Sequence, residues 1–182
     1  MFGNLAGLVR AQWARAADRT QPARLVVAAE DQDANDGTAV VVEQAGFVSA
    51  PAAPRAVRID PASGARTVVS SGGSFISPVD VTIDHDGNIL VVDANAFTGF
   101  SGGVIRVHPV SGVQSVVSSG GSFNSPIAIA VEADGSLLIA DNKATSGEPT
   151  LFRVNPTTGD QRILASGMPF RSLTGVKVVP GT

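Results

Sequence analysis

The feature that most constrains the fold of this chain is a segment that occurs twice. The eleven residues VVSSGGSFISP, 68–78, return 48 positions later as VVSSGGSFNSP, 116–126, with one substitution. Longer stretches align around them, namely VRIDPASGARTVVSSGG from Val57, IRVHPVSGVQSVVSSGG from Ile105 and FRVNPTTGDQRILASG from Phe152. The resulting period of 47 to 48 residues predicts a supersecondary unit that is stacked on its own copies.

Each unit is predicted to contain four β-strands. Short runs rich in Val, Ile and Leu lie between turns, and in the second unit they are VDVTID, NILVVD, GVIRVHP and VQSVVSS. The Asp-Gly pairs of DHDGN and EADGS tolerate positive φ and close tight hairpins. The turns DPASG, HPVSG and NPTTG place Pro where a type I turn starts and Gly where it exits left-handed. Two hairpins per unit therefore follow.

A four-stranded antiparallel sheet at this repeat length is typical of a β-propeller blade. The SSGGSF stretch would then lead from the outer strand of one blade to the inner strand of the next, near a crowded axis that favours small side chains. We predict an all-β fold, a partial β-propeller of about three four-stranded antiparallel blades, within a domain of residues 24–182. The predicted blades cover residues 24–71, 79–119 and 127–166. The segment from Gly175 resembles one strand of a further blade.

The first 23 residues are predicted to form a separate helical segment. Leu5, Leu8 and Trp13 recur at helical spacing, with Asn4 as a cap and Pro22 as a stop. The segment is therefore expected to be an amphipathic helix. Such a helix either covers apolar surface of its own domain or docks to another chain.

Composition excludes several functions. The net charge of −3 and the pI near 5.2 provide no basic surface for a phosphate backbone, so we expect no nucleic acid partner. The absence of cysteine excludes disulfides, thiolate metal sites and cysteine nucleophiles. No stretch has the length of a membrane span, and the N-terminus lacks the pattern of a secretory signal. We therefore expect no membrane association and, by default, a cytoplasmic location.

Three blades are too few for a closed ring, because closed propellers have four or more. An open arc leaves two blade faces whose apolar surface requires cover. Two copies could close a ring of about six blades, the N-terminal helix could cap one face, or the chain could belong to a longer one. We expect a protein partner or further copies of this chain, and a homo-oligomer is the first expectation.

Two stretches resemble NHL repeats. SPVDVTIDHDGNILVVDANA and SPIAIAVEADGSLLIADNKA share a Pro, an apolar-alternating strand, an Asp-Gly turn, a second strand and a closing Asp. The resemblance covers roughly Arg24 to Thr182 and is loosest in the first blade. Propellers with similar blades include metal-dependent gluconolactonase-like hydrolases and streptogramin lyases, and many that only bind partners. The resemblance implies the fold, and function depends on the site. We expect a non-enzymatic binding or assembly module, with a divalent-metal-dependent lactonase or lyase as the alternative.

Four carboxylates are candidates for a metal site at the mouth of such a propeller. They are Asp80 and the strand-end acids Glu43, Asp93 and Asp141. Inner strands begin and second strands end on one face of the ring, and carboxylate oxygens suit Ca²⁺ or Mg²⁺, although a binding role requires no cofactor. Asp80 is the strongest candidate, because the next units have Ala and Gly in its place. The alternative is that each strand-end acid accepts hydrogen bonds from its own following loop.

A second acidic stretch is DQDANDGTAVVVE, residues 31–43. It nearly matches a calcium loop, but the extra residue Asp36 shifts Gly37 and Glu43 by one position, and no helix flanks it. We predict an enlarged hairpin turn there.

The remaining polar residues favour structural roles. His85 and His108 fall in predicted turns, and neither has a repeated partner acid. Arg58, Arg106 and Arg153 recur once per unit and are expected to form a ladder that pairs with acids of neighbouring blades.

Overall fold

The described part of the chain is entirely β. The computed structural model describes residues 27–30, 38–44, 53–97, 99, 101–144 and 146–179, with the backbone alone for 27–30. The strands are β1 (Val27–Glu30), β2 (Ala39–Glu43), β3 (Arg55–Ile59), β4 (Arg66–Ser71), β5 (Pro78–Ile83), β6 (Ile89–Phe97), β7 (Ser101–Val107), β8 (Gln114–Ser119), β9 (Pro126–Val131), β10 (Leu137–Asp141), β11 (Thr150–Val154) and β12 (Gln161–Ser166). The all-β prediction is confirmed for these residues. The helix predicted for residues 1–23 and the turn predicted from residues 31–37 lie outside them.

The strands form three antiparallel sheets of four strands each. Sheet 1 contains β1–β4, sheet 2 contains β5–β8 and sheet 3 contains β9–β12, and each strand pairs with its neighbour in the chain. The sheets thus span residues 27–71, 78–119 and 126–166, against the predicted 24–71, 79–119 and 127–166. All three carry a register shift at the equivalent place between their third and fourth strands. The repeat in the sequence is therefore a repeat in structure.

Sheet 2 is covered on both faces, which explains why the run Ile-Leu-Val-Val of β6 does not alternate with polar residues. Ile89 and Val91 belong to the core between sheets 1 and 2, together with Val40 and Val42. The intervening Leu90 and Val92 belong to the core between sheets 2 and 3, with Leu137, Ile139, Phe152 and Val154. Successive residues of one strand point to opposite faces, so each face of β6 packs against a different sheet.

The first strands of the three sheets contact one another in the order β1, β5, β9. The chain reaches each new first strand through a six-residue connector that follows the last strand of the preceding sheet. Connector 1 is residues 72–77, between β4 and β5, and connector 2 is residues 120–125, between β8 and β9. The predicted passage from the last strand of one unit to the first strand of the next is confirmed for the GGSF part of the stretch, whereas the two preceding serines belong to β4 and β8.

Each connector carries one buried phenylalanine. Phe75 lies in the core between sheets 1 and 2, and Phe123 lies in the core between sheets 2 and 3. The ring of Phe123 meets that of Phe152 edge-on, with centroids 5.1 Å apart. The phenylalanine of the repeated segment is therefore core material, and one serine of each copy, Ser70 or Ser118, is buried as well.

Candidate functional site

Two strand-end acids, Asp93 and Asp141, bind the connectors that lead into their own sheets. Both are fully buried. The carboxylate of Asp93 accepts hydrogen bonds from the backbone N–H groups of Ile76 at 2.8 Å and Ser77 at 3.0 Å. It also accepts the N–H of Asn95 at 2.9 Å. Backbone N–H donors around a carboxylate form short, charge-assisted bonds. Asp93 thus fixes the start of its sheet.

Asp141 repeats this arrangement in sheet 3. Its carboxylate accepts the N–H groups of Asn124 at 2.9 Å, Ser125 at 3.0 Å and Lys143 at 2.8 Å. The side chains that end β6 and β10 therefore hold equivalent connectors in the same way. This matches the alternative in which strand-end acids accept hydrogen bonds from loops, and the connector before the strand contributes as well as the loop after it.

Glu43, the equivalent acid of sheet 1, is also buried. Its Oε2 atom lies 2.7 Å from Nε of Arg55, which sits opposite it on β3. The neighbouring Gln44 donates from Nε2 to the carbonyl of Pro78 at 3.3 Å, so this end of β2 also contacts the first strand of sheet 2.

Asp80 joins the first strands of sheets 2 and 3. Its Oδ2 accepts the N–H of Ile129 on β9 at 2.8 Å, and its Oδ1 accepts the N–H of Val81 at 2.9 Å. Burial raises the pKa of Asp80, and the two N–H donors and the positive charge of Lys177 oppose that rise. Ala and Gly at the equivalent positions of the later units cannot make this bond.

The four predicted metal ligands therefore occupy four separate sets of contacts. Within the described ranges, no three His, Cys, Asp or Glu side chains lie close enough together to hold a metal ion. The calcium or magnesium site stays a prediction, and the bonds now known for these carboxylates are structural.

The histidine and arginine residues also act within the framework. His108 accepts the N–H groups of Val110 and Ser111 through Nδ1, at 3.3 and 3.1 Å. Asp60 and Asn155 do the same in the equivalent turns, so His108 is a turn residue as predicted.

The arginine ladder contacts different partners from those expected. Arg58 donates to the carbonyl of Pro109 and Arg106 to that of Pro156, each at 3.3 Å and each in the next sheet. Arg106 also pairs with Asp84 of its own sheet, at 3.4 Å. In sheet 3 the guanidinium of Arg153 makes two bonds of 2.6 Å to Glu132. Among the described residues, the contacts of Arg58 and Arg106 across sheets are therefore with backbone carbonyls and not with acids.

Sequence reasoning missed two glutamines that hold the connectors from the other side. Gln114, at the start of β8, donates to Ser70 Oγ and to the carbonyl of Gly72, both at 3.0 Å, and accepts the N–H of Ser74 at 2.7 Å. Gln161, at the start of β12, makes the same three contacts with Ser118, Gly120 and Ser122. The sequence does contain this pattern, because SGVQ and TGDQ align in the second and third units and each ends in glutamine. The first unit has Arg66 at the glutamine position.

This contact explains the Gly-Gly pair of the repeated segment. Gly73 and Gly121 have φ of 62° and 59°, and an added Cβ would lie 2.6 and 2.8 Å from the side-chain oxygens of Gln114 and Gln161. The requirement for glycine thus comes from the left-handed backbone and from the glutamine of the next sheet.

Sheet 3 has one face that no described sheet covers. Leu138, Leu151 and Leu164 occupy the positions of Leu90, Val104 and Val117, which are packed between sheets 2 and 3. Leu164 is 38% exposed where Val117 is 9% exposed. We call the surface of Leu138, Leu151 and Leu164 the open face.

Comparison with known proteins indicates the fold alone. No family model matches this sequence, and no curated protein matches it. Among solved structures 53 chains match. One is the extracellular domain of a hybrid two-component system from B. thetaiotaomicron, with a TM-score of 0.52 and 14% identity. The match covers 79% of this chain and 17% of the other, so this chain spans a small part of that protein's length.

Among the described residues, no helix has the length and apolar character needed to cross a membrane.

Proposed function

We propose that this chain is a partial β-propeller of NHL-like blades and that it serves as a non-enzymatic binding or assembly module. Its binding surface is the open face of sheet 3. The observation that carries the proposal is the contrast between equivalent positions. Leu90 and Val104 are fully buried under the next sheet, whereas Leu138 and Leu151 in the same places are half-buried.

The repeat provides the argument for a protein partner. Between sheets 1 and 2, and again between sheets 2 and 3, an apolar face of this kind is covered by another four-stranded sheet. Stacked repeats require cover on their terminal faces, because each unit alone cannot bury its apolar surface. Another copy of this chain that packs on the open face supplies that cover.

Light scattering over a concentration series tests the proposal with a matched pair of variants. Leu164→Glu places a charge on the open face. Ile163→Glu is the control, because Ile163 is 53% exposed and its equivalents Val68 and Val116 are 49% and 51% exposed even where a next sheet is present. We expect the average mass of the parent chain to rise above the monomer mass of 18.5 kDa as the concentration increases. The mass of Ile163→Glu should rise in the same way, whereas Leu164→Glu should remain a monomer. Identical masses for the parent and both variants at every concentration would overturn the proposal.

The metal-dependent lactonase or lyase remains the alternative, and it needs a carboxylate with free oxygen ligands. Calorimetric titration with Ca²⁺ and Mg²⁺ separates the two functions, using the parent chain and Asp80→Ala. A saturable heat that Asp80→Ala abolishes would favour the enzyme. The binding module predicts that the two proteins give the same heats, because Asp80 already accepts the N–H groups of Ile129 and Val81.

A further inference from the structure

A third connector, residues 167–172, follows β12 and repeats one backbone hydrogen bond of the first two. In connectors 1 and 2 the phenylalanine N–H donates to the first glycine carbonyl, from Phe75 to Gly72 at 3.1 Å and from Phe123 to Gly120 at 3.0 Å. In the third, Phe170 donates to Gly167 at 2.9 Å. The third connector therefore shares this hydrogen bond with the first two, and it differs from them by the cis peptide bond between Met168 and Pro169.

The residue after the third connector occupies the place where a new first strand begins. Leu173 stands at the position of Pro78 and Pro126. Asn142 holds it through two hydrogen bonds, donating to its carbonyl at 2.8 Å and accepting its N–H at 2.6 Å. Gln44 contacts the carbonyl of Pro78 from the equivalent position of sheet 1. The segment 173–179 thus starts where the first strand of a fourth sheet would start.

That segment is an unpaired edge within the described part of the chain. No backbone hydrogen bond joins residues 174–179 to another described residue. Val178 and Val179 are exposed, and the segment TGVKVV is rich in the β-branched residues that strands favour. An edge of free N–H and C=O groups is a template for pairing with another strand.

The third connector also differs from the first two in the partners of two backbone N–H groups, within the described residues. In connector 1 the N–H groups of Ile76 and Ser77 donate to Asp93, and in connector 2 those of Asn124 and Ser125 donate to Asp141. The equivalent donors in the third connector are the N–H groups of Arg171 and Ser172, and neither has an acceptor among the described residues.

We propose that a strand of a partner polypeptide pairs antiparallel with residues 173–178 and places a terminal Asp or Glu on the N–H groups of Arg171 and Ser172. This inference rests on the proposed function and names the chemistry of its partner. The strand consists of four apolar residues followed by the acid, as in the sequences AVVVE, ILVVD and LLIAD of β2, β6 and β10. In sheets 2 and 3 the acid is opposite Pro78 and Pro126, so the incoming acid lies opposite Leu173.

A second copy that pairs its own 173–178 segment in this way does not meet the requirement. Residues 171–182 contain no Asp and no Glu, so symmetrical pairing of two such segments brings no side-chain carboxylate to the connector. The partner strand therefore comes from a segment other than 173–178, and strand addition of this kind combines main-chain pairing with side-chain specificity.

The test uses a labelled, end-blocked peptide of the β10 sequence, SLLIADNK, and the same peptide with D141N, titrated by fluorescence anisotropy. We expect the D141N peptide to bind about tenfold more weakly, since charge-assisted bonds to N–H donors are roughly twice as strong as neutral ones. Ser172→Pro removes one of the two donors and lies beyond the third sheet, so the sheets should stay folded. It should weaken binding of the Asp peptide and reduce the difference between the two peptides, whereas Ser172→Ala, which keeps the N–H, should not.

Amide spectra locate the bound peptide. The proposal expects shifts at Arg171 and Ser172 and slower hydrogen exchange along residues 174–178. Equal affinity of the two peptides, absent binding, or shifts confined to other sheets would overturn it. If neither peptide binds but Leu164→Glu still prevents association of the chain, the strand inference is wrong and the binding function stands. If neither peptide binds and Leu164→Glu also leaves the mass of the chain unchanged, both proposals are wrong.

Discussion

The side chain of Gln114 donates a 3.0 Å hydrogen bond to the hydroxyl of Ser70, which lies 44 residues earlier in the chain and in a different sheet. The same bond joins Gln161 to Ser118 at 3.1 Å. Each serine in turn donates to a turn carbonyl of the next sheet, from Ser70 to Gly112 at 2.8 Å. The repeated segment therefore binds a glutamine side chain and a turn carbonyl of the sheet that follows it.

Replacing Gln114 with Ala should lower the free energy of unfolding by about 1–3 kcal/mol, the range for leaving a partly buried polar group without its partner. The change leaves the N–H of Ser74 and the carbonyl of Gly72 without the Gln114 amide. Urea denaturation followed by circular dichroism measures the effect. The control is Arg66→Ala at the equivalent position of sheet 1, where the side chain is exposed, and it should change stability by less than about 0.5 kcal/mol. Equal losses in the two variants would contradict a specific role for Gln114.

Two adjacent glycines of connector 2 provide a matched pair. Gly120 and Gly121 have the same φ of 59°, but a Cβ at Gly120 meets nothing within 4 Å, whereas one at Gly121 meets the Gln161 side chain at 2.8 Å. Gly120→Ala should cost about 1–2 kcal/mol for the left-handed backbone. Gly121→Ala should cost more, because it also displaces Gln161. In the background of Gln161→Ala, the two glycine variants should lower the free energy of unfolding by the same amount. A difference that persists would show that the Cβ at position 121 collides with a group other than Gln161.

The sequence predicted the fold better than the contacts that hold it. The period, the Asp-Gly hairpins and the apolar runs depend on local patterns, and the strands of sheets 2 and 3 follow them closely. Gln114 was overlooked because its partner lies 44 residues away, and one polar residue per unit resembles surface composition. The acids show the opposite difficulty. An Asp at a strand end has the chemistry for either a metal or backbone N–H groups, and only the position of connector 2 beside Asp141 distinguishes the two.

Asp141→Asn tests the structural role of a strand-end acid. The variant keeps the size of the side chain but replaces one carboxylate oxygen with a donor, which opposes the N–H groups of Asn124 and Ser125. We expect a loss of about 2–3 kcal/mol, typical of buried hydrogen bonds to charged groups. Asp86→Asn, in an exposed hairpin, is the control and should be nearly neutral. Chemical denaturation of both variants measures the difference, and a neutral Asp141→Asn would show that the charge is dispensable there.

Asp80 should make stability depend on pH in the direction opposite to most acids. Because burial raises its pKa above 3.8 in the folded chain, the folded state keeps a proton that the unfolded state has already lost. The stabilising contribution of the proton is complete below pH 3.8 and is lost as the pH rises through the folded value, with a slope of at most about 1.4 kcal/mol per pH unit. Asp80→Asn removes this titration and leaves every other acid in place. Urea denaturation at a series of pH values measures the stability of the parent and of the variant. The stability of the parent minus that of the variant should fall as the pH rises from 3.8. A difference that rises or stays constant would show that folding does not raise the pKa of Asp80.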